Sequence, residues 1–177
     1  MKNNLALALL FCLIAPACSE REDAVDHVSA ERPAALAQIK VEMGYRNDGC
    51  SFLHSPVNFC DERHLSLMAE AIAHRKPDFH RRYILLTIPE WPEYCQSSVV
   101  AIDPALPAAY PVPIDAFSGP VGKSGDPTTQ GKLMYGLDSN EICIDGAILA
   151  YKAIKNGRFC FTFRAERFTG YRTAYME

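Results

Sequence analysis

The 177-residue chain lacks any apolar run long enough to cross a bilayer as a helix. Its longest, Leu5 to Ile14, stops well short of the roughly 20 residues that a span needs. It also lacks an excess of basic charge. A formal net charge of −3 argues against a dedicated nucleic-acid binder, for which a basic domain is the usual footprint. No internal repeat is evident. The motifs that most often announce catalysis are missing too: there is no HExxH, no closed zinc spacing, no GxSxG and no SxxK. Gly122-Lys123-Ser124 invites comparison with a phosphate-binding loop. The position five residues before Gly122, which must be glycine, is Phe117, and Pro120 interrupts the backbone that would cradle phosphate. These absences leave no expected nucleotide, metal or cofactor, and no stretch names a reaction.

Cysteine and proline are present in quantity, and the amino terminus is patterned. Lys2, the apolar run Leu5–Ile14, and small residues at Ala15 and Ala17 form the layout of a secretory signal peptide. The polar stretch SEREDAVDHVSAERP that follows reads as a tether. The expected organisation is a signal peptide over 1–17, a tether over 18–32 and one globular domain over 33–177. Ala15-Pro16-Ala17-Cys18 resembles the lipobox of bacterial lipoproteins, departing from it at Ala15, where that family usually has Leu. The resemblance implies that Cys18 becomes a lipid-modified N-terminus in the periplasm, and Ser19 would suit sorting to the outer membrane. The alternative is an ordinary cleavage after Ala15-x-Ala17 that releases a soluble periplasmic or secreted protein. Cysteine parity favours that alternative, because it leaves six thiols where lipidation leaves five.

An exported chain with seven cysteines is expected to be disulfide-stapled. Cys50 and Cys60, which would close the short loop CSFLHSPVNFC, are the most local pair. Two of Cys95, Cys143 and Cys160 are expected to pair, in a combination that sequence does not specify. Asp61 to Arg75 predicts a helix: Asp61 can cap it, Leu65, Met68 and Ile72 share a face, and Pro77 stops it. YILLTI, from Tyr83 to Ile88, reads as a buried strand. Pro33 to Met43 fits a helix ending at Gly44, although Ile39, Val41, Met43 and Tyr45 also alternate like a strand. Eight of the twelve prolines fall between Pro89 and Pro127, so Ser97–Ile102 is expected as a strand and Tyr110–Ile114 at best as an edge. FSGPVGKSGDPTTQGK is a long loop, and Lys132–Leu137 returns to strand pattern. The fold class is therefore α+β. Its antiparallel sheet should end in a C-terminal meander, with one or two helices in the N-terminal half.

The meander sets the candidate site. Asn156-Gly157 matches a two-residue hairpin turn, since both residues tolerate positive φ. That register pairs Ile154 with Phe159, and a second turn at Ala165-Glu166 brings Phe168 beside Phe163. Asp145–Lys155 as a short helix is the alternative. In the sheet reading, Phe159, Phe161 and Phe163 form a core face. Tyr151, Arg158, Arg164, Arg167 and Tyr171 share the opposite face, with Thr162 and Thr169. Tyr and Arg are enriched where proteins bind partners, so this face is the expected surface for a protein partner, of acidic character. An ordinary solvated sheet face would look the same in sequence. The second candidate is the neighbourhood of His54, Asp61 and His64, which could serve a small hydrolase. The third is a structural accessory of an envelope assembly. The leading expectation is a non-catalytic binding module of the bacterial envelope, of the kind that inhibitor and immunity proteins exemplify.

Overall fold

A computed structural model describes residues 39–123, 125, 127 and 129–177. The signal segment, Cys18 and the tether lie outside the described residues. Ten regular elements follow one another: β1 Lys40–Val41, α1 Glu62–His74, β2 Ile84–Trp91, β3 Gln96–Asp103, β4 Ala108–Pro111, β5 Ala116–Ser118, β6 Lys132–Met134, β7 Glu141–Ala150, β8 Ala153–Arg164 and β9 Arg167–Gly170. Short 3-10 turns occupy Pro92–Tyr94 and Ala174–Met176. No described helix is long and apolar enough to cross a membrane.

All nine strands join one sheet of order β1-β4-β3-β5-β7-β8-β9, with β2 on β3 and β6 on β7. The sheet is mixed and not purely antiparallel, because β1 runs parallel to β4. Two corrections follow. Lys40–Val41 is strand where a helix was expected, as the alternation of Ile39, Val41 and Met43 had offered. The proline-bearing β4 is not an edge: it is buried and sits between β1 and β3. Pro111 is its last residue, so the missing N–H falls where the pairing ends.

Helix α1 forms where its caps place it. The Asp61 carboxylate accepts the His64 backbone N–H at 2.8 Å, which satisfies one of the orphan donors of the first turn. Its buried face is His64, Met68 and Ala71, with Leu65 and Ile72 at the flanks. The sheet curls into a half-barrel around an aromatic core. Phe163 packs its ring 4.8 Å from Tyr83, 4.9 Å from Phe168 and 5.5 Å from Tyr110. The Tyr45 hydroxyl donates to the Phe168 carbonyl at 2.5 Å and ties the chain after β1 to β9.

The hairpin between β7 and β8 does not turn at Asn156-Gly157. It turns at Tyr151-Lys152, both at positive φ (48° and 64°), and Ala150 pairs with Ala153. Asn156 and Gly157 lie within β8, opposite Ala147 and Gly146. Glycine is needed there inside strands, both for positive φ, 150° at Gly146 and 156° at Gly157, and for close approach. A Cβ on Gly146 would stand 2.1 Å from the Ser118 carbonyl, and one on Gly157 would stand 3.2 Å from the Phe159 ring. Gly146 thus lets the end of β5 pass close against β7. The second turn does sit at Ala165-Glu166, with Phe163 opposite Phe168.

Cys50 and Cys60 are bridged, with Cα atoms 5.6 Å apart. Cys143 and Cys160 stand opposite each other on β7 and β8 and are bridged at a Cα separation of 4.1 Å.

Candidate functional site

Strand β8 divides into two unlike halves. Phe159, Phe161 and Phe163 are buried, while every residue from Ala153 to Arg158 is exposed. The cause lies in the sequence. The inward positions carry Phe in one half and Ala153, Lys155 and Gly157 in the other, too small or too polar to seed a core. Strand β9 covers only the first of these halves. It ends at Gly170, opposite Phe161, and Tyr171 makes the last bond, donating its N–H to the Cys160 carbonyl at 3.0 Å.

Backbone direction follows from the turn. Ala150 and Ala153 close a two-residue loop, so they exchange hydrogen bonds and the pattern alternates from there. Odd-numbered residues of β8 bond to β7, and even-numbered residues point away from it. The outward bond of Cys160 and the bond of the Phe163 N–H to Asn140 on the β7 side, at 2.7 Å, agree with this parity. Ile154, Asn156 and Arg158 therefore direct their backbone groups outward, and among the described residues no strand meets them. This is an open sheet edge. The Asn156 side chain is engaged elsewhere, accepting from the Val121 N–H and donating to the Val121 carbonyl, each at 2.8 Å.

Charge gathers along this edge. Lys152, Lys155 and Arg158 belong to the hairpin, and Arg172 stands beside Lys155 around a small cavity of about 60 Å³ that Ile148 and Tyr171 also line. None of these four cations takes part in an ion pair among the described residues. Asp145, opposite Arg158, is the sole carboxylate in the part of β7 that faces Ala153–Arg158.

A second concavity of about 230 Å³ opens beyond the turn, lined by Arg46, Leu53, His54, Tyr151, Tyr175 and Glu177. His54 and Tyr151 both hold left-handed backbone, at φ 68° and 48°, and their rings lie 5.8 Å apart. Such conformations persist where the surroundings fix them, and here a buried carboxylate does so. Asp115 accepts the Ser55 hydroxyl at 2.5 Å, the Tyr175 hydroxyl at 2.6 Å and the Tyr151 N–H at 3.1 Å. Burial pushes the Asp115 carboxyl above its ordinary range despite these donors. Burial and Asp115 together push the Tyr175 phenol up. The cluster locks the hairpin tip to the Cys50–Cys60 loop and to the last turn of the chain.

The expected residues are distributed as follows. Arg158 and Arg164 are exposed on the outer face of β8. Arg167 is exposed opposite Arg164, but its guanidinium lies over the Tyr45 ring at 5.7 Å and its Cβ abuts Gly44, so it helps seat β9. Tyr171 is not on the arginine face: its ring packs edge-on to Phe159 at 4.7 Å and Phe161 at 6.2 Å. Tyr151 belongs to the His54 concavity. The five residues therefore do not form one patch: the turn lies five residues earlier than expected, which takes Tyr151 to the tip, and β9 ends at Gly170, which releases Tyr171 from the arginine face. Sequence reasoning missed Lys152, Lys155 and Arg172. The change from Phe to Ala, Lys and Gly at alternate positions was the signal that could have found them.

Asp61 and His64 do meet, whereas His54 is elsewhere. His64 is buried, with Nδ1 2.7 Å from Asp61 and Nε2 2.9 Å from Glu90. Glu90 also accepts from Ser98 at 2.5 Å and from Arg63 at 2.6 Å. Burial alone would lower the imidazole, but the hydrogen bonds to Glu90 and Asp61 outweigh it and raise its pKa. The same bonds hold Glu90 below its ordinary value against the opposing effect of burial. Both ring nitrogens of His64 are occupied, so the group fastens α1 to β2 and β3 and leaves no nitrogen for a substrate. Glu141, Cys143 and Cys160 also come together, but the two sulfurs are joined to each other and offer no thiolate to a metal. Comparison with protein-family models, with curated proteins and with solved structures finds no match for this chain.

Proposed function

We propose that this chain is an exported, non-catalytic binding module of the bacterial envelope, tethered by lipid at Cys18, that holds an acidic protein partner against the β8 hairpin. The carrying observation is the group Lys152, Lys155, Arg158 and Arg172, four cations without ion-pair partners among the described residues, on a chain of net charge −3. Surface cations are ordinarily dispersed among carboxylates. A local excess steers an acidic partner and disfavours a basic one. The bridges Cys50–Cys60 and Cys143–Cys160 support an oxidising compartment, in keeping with the signal-like amino terminus. The occupied nitrogens of His64 count against the hydrolase reading.

The test is affinity capture from an envelope extract on immobilised wild type beside Lys155→Glu/Arg158→Glu. One acidic protein should be retained in fixed ratio by the wild type and lost by the variant, and its purified form should bind more weakly as salt rises. Equal retention by both would overturn the reading. The anchor is tested separately: Cys18→Ser should move the protein from the detergent phase to the aqueous phase.

A further inference from the structure

We infer that the partner binds by strand addition: an extended acidic segment pairs with the open edge of β8 at Ile154, Asn156 and Arg158. This inference rests on the reading of the chain as a protein-binding module and specifies how the partner is held.

Three observations converge. First, the edge supplies three outward N–H groups and three outward carbonyls in strand geometry, which is what an added strand needs for its main-chain bonds. The tip is held in place from below by Asp115, through Ser55, Tyr175 and the Tyr151 N–H, so the edge is preformed. Second, a cavity and an exposed apolar side chain stand beside the edge, one on each face. On the concave side, the cavity beside Ala153, Lys155, Tyr171 and Arg172 has room for a short side chain and two cations at its mouth, a setting for a carboxylate. On the outer side, Ile154 is 43% exposed and offers an apolar neighbour. Third, charge selects the occupant. A second copy of this chain would bring Lys152, Lys155 and Arg158 against their own kind, and like charges facing each other across strands are destabilising. Lysines on an edge guard it against self-pairing in this way. The same charges admit a strand that carries carboxylates.

The probe is a synthetic peptide, acetyl-(Glu-Val)4-amide, compared with its Lys/Val counterpart and with two copies N-methylated on alternate residues. On binding, hydrogen exchange of the Ile154, Asn156 and Arg158 amides should slow by about tenfold or more, while Lys155 and Gly157, already bonded to β7, stay unchanged. One N-methylated copy should bind like the parent and the other should not, because only alternate amides face the edge. Ile154→Pro keeps every charge and every bond to β7 but removes one outward N–H. It should weaken the parent peptide by about tenfold. The exchange pattern is read on wild type, so it stands even if the proline variant folds poorly.

The outcomes separate the two readings. If Lys155→Glu/Arg158→Glu abolishes peptide binding while the alternating exchange pattern is absent and N-methylation has no effect, strand addition is overturned and the charge-driven reading survives. If the Glu/Val and Lys/Val peptides bind alike, or neither binds, both readings fall. If the three amides slow with protein concentration alone and sedimentation shows a dimer, the edge belongs to a second copy and the acidic segment is excluded.

Discussion

The two halves of β8 have one backbone conformation and opposite fates. From Phe159 to Arg164 the strand is flanked by β7 and β9 and sends three phenylalanines into the core. From Ala153 to Arg158 it is flanked, among the described residues, by β7 alone and is exposed on both faces. The contrast shows that strand pairing and burial are separable. Pairing with β7 runs unbroken from Ala153 to Thr162, across both halves, and only side-chain size and the reach of β9 decide which half is core. An edge can therefore be kept open without cost to the fold, provided that something other than burial fixes its position. Here the Cys143–Cys160 bridge, Asp115 and the close approach of β5 to Gly146 do so.

The comparison is broken most severely in the covered half. Phe161→Ala removes a fully buried ring and is expected to lower unfolding free energy by about 3–5 kcal/mol through the cavity it leaves, as read by denaturant titration. Replacing Cys143 and Cys160 together by Ser should cost about 2–4 kcal/mol on the chain-entropy argument. It should also raise exchange at the β7–β8 amides first. Gly146→Ala and Gly157→Ala sharpen the contrast between covered and open positions. The first sets a methyl against the Ser118 backbone and should cost about 1–3 kcal/mol. Both changes strain a backbone at positive φ (150° and 156°), but the second meets only the end of a Phe159 ring and should cost less in the same assay.

Acidity separates the regions differently, because Ala153–Arg158 contains no histidine and no carboxylate. His64 is raised above its ordinary 6.5. Its contribution is therefore full below that value and is lost as pH rises through the folded-state value. Glu90, being lowered, contributes above its ordinary range, and that contribution is lost as pH falls through its folded value. Asp115, raised by burial, favours the fold when protonated and less so once ionised. Thermal melts of the wild type should decline on the alkaline side of pH 6.5, and His64→Gln should flatten that decline. An unchanged slope in the variant would remove His64 as its source. Smallest of all, Ile154→Thr and Arg158→Gln should shift stability by less than about 0.5 kcal/mol.

Much of the frame could be read directly from residue patterns. Helix α1 was legible because its signals are local: a capping Asp61, an apolar spacing and a stopping Pro77. β2 was legible as an uninterrupted apolar run. What escaped was set by distant partners. Tyr151-Lys152 carries no glycine, and its left-handed backbone is stabilised by Asp115, 36 residues away in sequence. Asn156-Gly157 looked like a turn because a glycine at positive φ can also sit inside a strand, as Gly157 does at φ 156°. His64 looked available for catalysis until Glu90, 26 residues on, came to lie against it. The candidate edge was hidden for the same reason, since its location follows from the turn.

The excursion from β5 to β6 has a practical consequence. Both strands pair with the same β7, at Ser118–Ala147 and at Lys132–Asp145, and the bond from the Gly119 N–H to the Thr129 carbonyl, at 2.7 Å, draws the ends of the intervening chain together. The sheet is complete on either side of that neck. A reporter sequence or a small folded insert placed next to Lys123, which is exposed, would lengthen a loop that is already closed, and each doubling of loop length costs only about 0.6 kcal/mol. The position is thus a port for labelling the protein beside the Ile154–Arg158 edge, because Val121, two residues away, is bonded to the Asn156 side chain.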